Sequence, residues 1–178
     1  FVLATLNPIE MEGTYPLPEA QLDRFMFKVN VSFPSREELV SILDRTTGTE
    51  APVAGAVPDR ERILEMQATS RAVPVAPHVK DYAVRLLLET HPDSTKTDLV
   101  KRFVKFGASP RGAQALLLAA KIRALSEGRV AASLDDIRAV TRPALRHRVL
   151  LNFEGEAEGI KTDEVLAAVL AGVADSAS

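Results

Sequence analysis

Only two segments of this 178-residue chain read as β-strands, and two strands do not make a sheet that is stable on its own. Residues 1–4 are apolar without interruption, which is how a strand buried on both faces reads. Residues 26–32 (MFKVNVS) are the second candidate. Between them lie a loop rich in Gly and Pro and a short polar helix over 18–23. Residues 1–33 therefore have α/β character without enough strands to close a sheet, and the chain opens on Phe1. The expectation is the C-terminal part of a longer protein, with exposed strands prone to self-association or disorder.

From residue 34 onward the signals are helical. Ser35 with Glu38 three positions later is a capping box, opening a helix to about residue 46 with a stop near Gly48. Residues 49–58 form a Pro-containing linker of small residues. Asp59 can cap a helix through about residue 70, and two prolines make 72–77 extended. Val79, Tyr82, Ala83, Leu86, Leu87 and Thr90 fall on one stripe at 3–4 spacing, an amphipathic helix that ends at His91 and Pro92. Residues 93–106 read as a polar insertion without assigned structure. Ser109 as N-cap and Pro110 at the first helical position open a long Ala/Leu helix to about Ser126, closed by Gly128. Ser133 and Asp136 start another helix, whose inward face is Leu134, Ile137, Thr141, Leu145 and Val149. The last helix covers 162–173 and buries Val165, Leu166, Val169 and Leu170. Five or six helices with short connections make a helical bundle.

Composition narrows function by exclusion. With 22 Lys and Arg against 24 Asp and Glu, the net charge is −2, which gives no broadly basic surface for nucleic acid. There is no cysteine, so disulfides and thiolate ligands are ruled out, as fits a cytoplasmic protein. No apolar run approaches the roughly 20 residues that span a bilayer. His78, His91 and His147 are scattered without metal-ligand spacing, so no metal site is expected. Glu10, Glu12 and Glu19 flank the Pro-rich loop and read as solvated charges.

Three residues stand out. Asn7 lies just past the carboxyl end of the first strand candidate, where open α/β sheets bind ligands, and an amide there can hold a water in line with a phosphate. The same Asn-Pro can equally be a plain turn. Arg24 ends the short polar helix, where it suits the helix dipole, and Asp23 beside it could make a bland surface pair. Alternatively, Arg24 is offered into a phosphate site. Arg111 is the second residue of the helix opened by Ser109. A cation is unfavourable there by a few tenths of a kcal/mol up to about 1 kcal/mol unless an anion sits with it. Arg142, Arg146, His147 and Arg148 form a basic cluster at the end of one helix, open to a partner contact or to the ordinary preference of helix C-termini for cations.

Four segments carry a resemblance: ATLNPIEMEGTYPLPEAQLDRF at 4–25, PSREE at 34–38, GASPRGAQALLLAAKIRAL at 107–125 and LRHRVLLNFEGEAEG at 145–159. In this order they resemble the MoxR-type AAA+ ATPases. The resemblance implies a mainly α fold, a helical bundle (the AAA+ lid) at 34–178, preceded by a short α/β remnant of the AAA+ core at 1–33. It makes Asn7 the sensor 1 amide and Arg24 an arginine finger acting in trans, an effect of roughly 10³–10⁵ in rate. Arg111 becomes the sensor 2 contact to the γ-phosphate. It further implies ATP and Mg²⁺ in the full-length protein, a homo-oligomer in the form of a hexameric ring, and a cytoplasmic location. The implied partners are protein clients, some with metal-binding adhesion-type domains, with no membrane and no nucleic acid. The P-loop pattern G-x-x-x-x-G-K-[ST] is absent from all 178 residues, and no acidic Walker B strand is present. The chain alone is therefore expected neither to hydrolyse ATP nor to hold it tightly. The rival reading is a non-enzymatic helical adaptor or DNA-binding module using residues 133–148.

Overall fold

The computed structural model describes residues 2–6, 17–49, 55 and 59–174. Its architecture is mainly helical. Four helices form the centre: α4 (Pro77–Glu89), α6 (Pro110–Ser126), α7 (Leu134–Leu145) and α9 (Thr162–Gly172). The preceding helices, α1 (Glu19–Leu22), α2 (Arg36–Thr46) and α3 (Arg60–Ala72), bury no residue and lie at the periphery. Between α4 and α6 come α5 (Asp98–Phe103) and β1 (Val104–Phe106); between α7 and α9 come β2 (Leu150–Leu151) and α8 (Phe153–Ala157).

The amphipathic stripes build the core as their spacing requires. Val79, Tyr82, Ala83, Leu86 and Leu87 of α4 are buried, and Thr90 follows them inward. They meet Leu116 and Ala120 of α6, Ile137 and Leu145 of α7, and Val165, Leu166 and Val169 of α9 in one cluster. The buried positions of α6 are small, Gly112 and alanines 115, 119, 120 and 124, with Leu116 the one large side chain. Small residues let α6 lie close against both α4 and α7, since a methyl group at Gly112 would sit 2.9 Å from Leu145 and 3.0 Å from Leu87. The caps also form as read. Ser35 and Glu38 close a reciprocal box, Asp59 accepts from the Arg62 amide, and Ser133 and Asp136 close the second box.

Several expectations need correction. Neither 2–6 nor 26–32 forms a strand; Leu3 is 83% exposed and Val31 91%. A strand needs a ladder partner for its amides, and the described residues provide none for these two. The segment 93–106, by sequence a polar insertion without assigned structure, is ordered in the fold. The Glu89 carboxylate gathers it by accepting from the Thr95 hydroxyl (2.7 Å), the Lys96 amide (2.7 Å) and both amide and hydroxyl of Thr97 (2.9 and 2.8 Å). α5 then leads into β1, which pairs antiparallel with β2. Stretches of two or three residues carry no periodicity of their own, so their pairing could not be read in advance. The described residues hold nine helical segments, more than the five or six expected, because α1, α5 and α8 are only four to six residues long. The extended link is shorter than 72–77: Ala72 ends α3 and Pro77 begins α4, while Val75 bridges Ala132. Apart from Thr49 and Gly55, the linker at 49–58 lies outside the described residues.

The loop before α6 is fixed to the end of α4. The buried Thr90 hydroxyl donates to the Leu87 carbonyl (2.6 Å) and accepts from the Ala108 amide (3.0 Å), so a polar residue on the apolar stripe is fully used. Gly107 passes so close that an added Cβ would lie 2.7 Å from the Thr90 carbonyl oxygen and 2.7 Å from the His91 ring. At the other end of α6, Asp136 is buried and accepts from Arg129 (2.7 and 2.5 Å) and from the Ser133 amide and hydroxyl (2.8 and 2.9 Å). The Arg129 hydrogen bonds outweigh the opposing effect of burial and, with Ser133, hold the Asp136 carboxyl at about 2, below its ordinary 3.8.

Two outcomes follow. Because backbone cannot yield to a new methyl group, Gly107→Ala costs about 1–3 kcal/mol in urea denaturation, and an unchanged midpoint would refute the packing argument. The native pKa of Asp136 is depressed, so its contribution is complete above about 4 and is lost as pH falls toward 2. It amounts to about 2 kcal/mol. Denaturant midpoints measured across this window should fall less steeply for Asp136→Asn than for the native chain; equal slopes would mean the pair carries no linkage.

Candidate functional site

Of the residues singled out in sequence, Arg111 and Arg148, a member of the basic cluster, meet at one carboxylate, that of Asp23. Asp23 follows directly on α1, and its Oδ1 accepts from the Ser109 hydroxyl at 2.7 Å and from Arg148 Nε at 3.1 Å. Its Oδ2 accepts from Arg111 Nη1 at 3.0 Å. Ser109 is also the N-cap of α6, its oxygen accepting from the Arg111 amide at 3.2 Å. The anion that a cation at this helix start calls for is thus an internal one, Asp23. Burial by itself would raise the Asp23 pKa, but the hydrogen bonds from Ser109 and Arg111 and the charge of Arg148 prevail and hold it below the usual carboxylate range.

Arg148 is the second centre of the arrangement. Its side chain is only 2% exposed. Besides Asp23 Oδ1, it donates to the backbone carbonyls of Asp23 (2.9 Å), Phe25 (2.6 Å) and Met26 (3.2 Å), and to that of Ala144. Burial draws its pKa down against the pull of Asp23, though a guanidinium remains charged at neutral pH. His147 beside it meets the Phe25 carbonyl at 2.9 Å. A carbonyl only accepts, so Nε2 carries the hydrogen, and burial first, then the charges of Arg148 and Lys28, keep the ring pKa low. The Lys28 amide donates to the Pro143 carbonyl at 2.9 Å, so residues 23–28 lie along the end of α7.

Arg24 differs from its neighbours. Its side chain is exposed and has no hydrogen bond or ion pair among the described residues. It lies at a groove of about 1650 Å³ lined by Gln21, Phe25 and Met26, by Ile63 and Met66 of α3, and by Ile122 of α6. The idea of a bland Asp23–Arg24 surface pair is therefore wrong: the carboxylate belongs to Arg111 and Arg148. The basic cluster at 142–148 is also not an open face. Arg146 is paired in a fork with Asp163 (3.0 and 2.9 Å), and His147 and Arg148 are buried. Little cationic surface remains there for nucleic acid.

Arg111 is thus brought onto Asp23, and Arg24, next to it in the chain, lines the groove instead, whereas Asn7, Glu10 and Glu12 lie outside the described residues. Sequence reasoning passed over Asp23 and Arg148 as site-forming residues. The usable signal was an arginine embedded between the apolar Leu145 and Val149, where a surface cation is out of place. Among the described residues no three His, Asp or Glu side chains form a metal cage, and no helix is long and apolar enough to cross a membrane.

A family model described as the AAA lid domain matches residues 96–169, and one described as the ATPase family associated with various cellular activities (AAA) matches residues 1–27. The chain is 40% identical over 174 residues to Chaperone MoxR1 of Mycobacterium tuberculosis, covering 97% of this chain and 46% of that protein. It is 36% identical over 163 residues to Protein MoxR of Methylorubrum extorquens, covering 84% of this chain and 47% of that one. A crystal structure of a candidate ATPase from Cytophaga hutchinsonii matches with a TM-score of 0.87 at 32% identity, over 94% of this chain and 52% of that chain. The chain spans about half the length of the curated relatives it matches. With a lid domain in its helical part, an AAA segment ahead of it and MoxR relatives along nearly its whole length, the chain belongs to the MoxR-type AAA+ ATPases.

Proposed function

We propose that this chain works as the C-terminal part of a longer ATPase, supplying the end of the nucleotide-binding core (1–33) and the lid (34–178). The observation that carries this reading is the contrast at Arg24. The backbone around it is pinned by a buried arginine, while its own guanidinium, which lines a groove, has no partner among the described residues. Ordering a loop so firmly around an unengaged cation is a poor use of stability unless a ligand completes it.

In this reading Arg24 reaches the phosphates bound by a neighbouring subunit of a homo-oligomeric ring, which we take to be a hexamer. Arg111 faces the nucleotide from the lid as sensor 2, and Asn7 orients the attacking water as sensor 1. The Ser109 hydroxyl and the Arg111 guanidinium at the start of α6 already hold a carboxylate, so the same donors suit a phosphate oxygen. ATP supplies the phosphoryl group, and the Mg²⁺ ligands and phosphate-binding loop belong to the part of the protein beyond this chain. Lid motion then remodels protein clients, which agrees with a relative named as a chaperone. Cytoplasmic location is part of the same proposal.

In the full-length protein, Arg24→Ala should lower kcat by about 10³ or more with nucleotide affinity within about twofold. A large loss of ATP binding with kcat preserved would contradict action in trans. Arg111→Ala should weaken ATP binding or hydrolysis at least about fivefold, measured by titration of a fluorescent nucleotide and by steady-state turnover. Wild-type values for both would reduce Arg111 to a partner of Asp23.

A further inference from the structure

We propose that Asp23 and Arg148 are positioning residues for Arg24, and that the shared Asp23 carboxylate couples Arg24 to Arg111, so that the Arg24 segment and the start of α6 move as one body. The inference rests on the reading of Arg24 as a phosphate-contacting group.

A guanidinium has five N–H donors in a rigid fork, and Arg148 uses them on five acceptors. Three of these are the carbonyls of residues 23, 25 and 26, which bracket Arg24; the others are Asp23 Oδ1 and the Ala144 carbonyl of its own helix. The Arg24 amide is held as well, donating to the Gln21 carbonyl at 3.1 Å. The peptide units on both sides of Arg24 are therefore fixed to the end of α7, and only its side chain is left to reach outward. A buried guanidinium needs an acceptor for each of its donors whatever its role, so the informative point is where these acceptors lie. Here the acceptors from the N-terminal segment cluster around a single residue, Arg24, whose side chain has no partner among the described residues.

Asp23 extends the connection to α6. Its Oδ1 is shared by Ser109 and Arg148, and its Oδ2 is held by Arg111. Were Arg111 to turn toward a phosphate, Oδ2 would lose its donor while Oδ1 kept both of its own. The nucleotide facing a subunit's lid would in this way change the restraint on the arginine which that subunit presents to its neighbour. Lysine could not replace Arg148, since an ammonium has three donors at one point and cannot span these acceptors.

The test is a double-mutant cycle on the full-length oligomer, with steady-state ATP hydrolysis measured for Asp23→Asn, Arg24→Ala, the double variant and Arg148→Lys, alongside thermal melts. Asp23→Asn should lower kcat at least about tenfold while KM for ATP is unchanged or lower. In the Arg24→Ala background the same substitution should change kcat by less than about twofold, because its route of action is already gone. Equal factors in both backgrounds, or a raised KM with kcat intact, would overturn the proposal while leaving the Arg24 reading standing. If Arg24→Ala itself turns over at the wild-type rate, that reading fails first and this inference with it. Should Asp23→Asn not fold, Arg148→Lys decides: a cooperative melt with kcat reduced by a similar factor supports the proposal, and a wild-type kcat refutes it.

Discussion

Removing a guanidinium from water costs several kcal/mol, and the molecule accepts that cost at Arg148 only because every donor on the side chain is matched. The consequence reaches well beyond the pair. Residues 23–28 have no strand partner among the described residues, and their side chains from Met26 to Val31 are exposed. They are ordered because the end of α7 supplies the hydrogen bonds that a sheet would otherwise supply: Arg148 to three carbonyls, His147 to one, and the Pro143 carbonyl to the Lys28 amide. Without the buried charge, the N-terminal segment would keep only its hydrogen bonds to Ser109, Arg111, His147 and Pro143.

The bundle in turn depends on close approach at α6. Its small buried residues bring the α4 and α7 stripes within reach of one another, and the Thr90 hydroxyl fixes the loop that aims the start of α6 at Asp23. Core packing and site geometry therefore share the same few residues. A change at Gly107 or Thr90 would act first on the loop that carries Ser109 and Arg111.

Much of this was open to direct reading. The Ser35, Asp59, Ser109 and Ser133 caps, the Val79–Thr90 stripe and the inward face of α9 follow from signals within a few residues of one another, and each element formed with at most small shifts at its ends. The LDRF segment marked Arg24 as a candidate, and the misfit of a cation with the positive end of a helix dipole marked Arg111, whose anion in the folded chain is Asp23. The short pieces β1, β2, α5 and α8 were not, because each is held by partners distant in the chain and none is long enough to show a period.

The division is one of range. Local chemistry determined the helices, their ends and the faces they bury, since capping and periodicity act over three or four residues; the family was read from the resemblance of four segments. Only the folded chain decided that Asp23 answers to Arg148 and Arg111 and not to its neighbour Arg24, and that an arginine-rich helix end faces inward. Asp23 and Arg148 are 125 positions apart. No spacing rule connects them; the meeting is a product of how α6 and α7 pack, and packing is settled by the whole core at once.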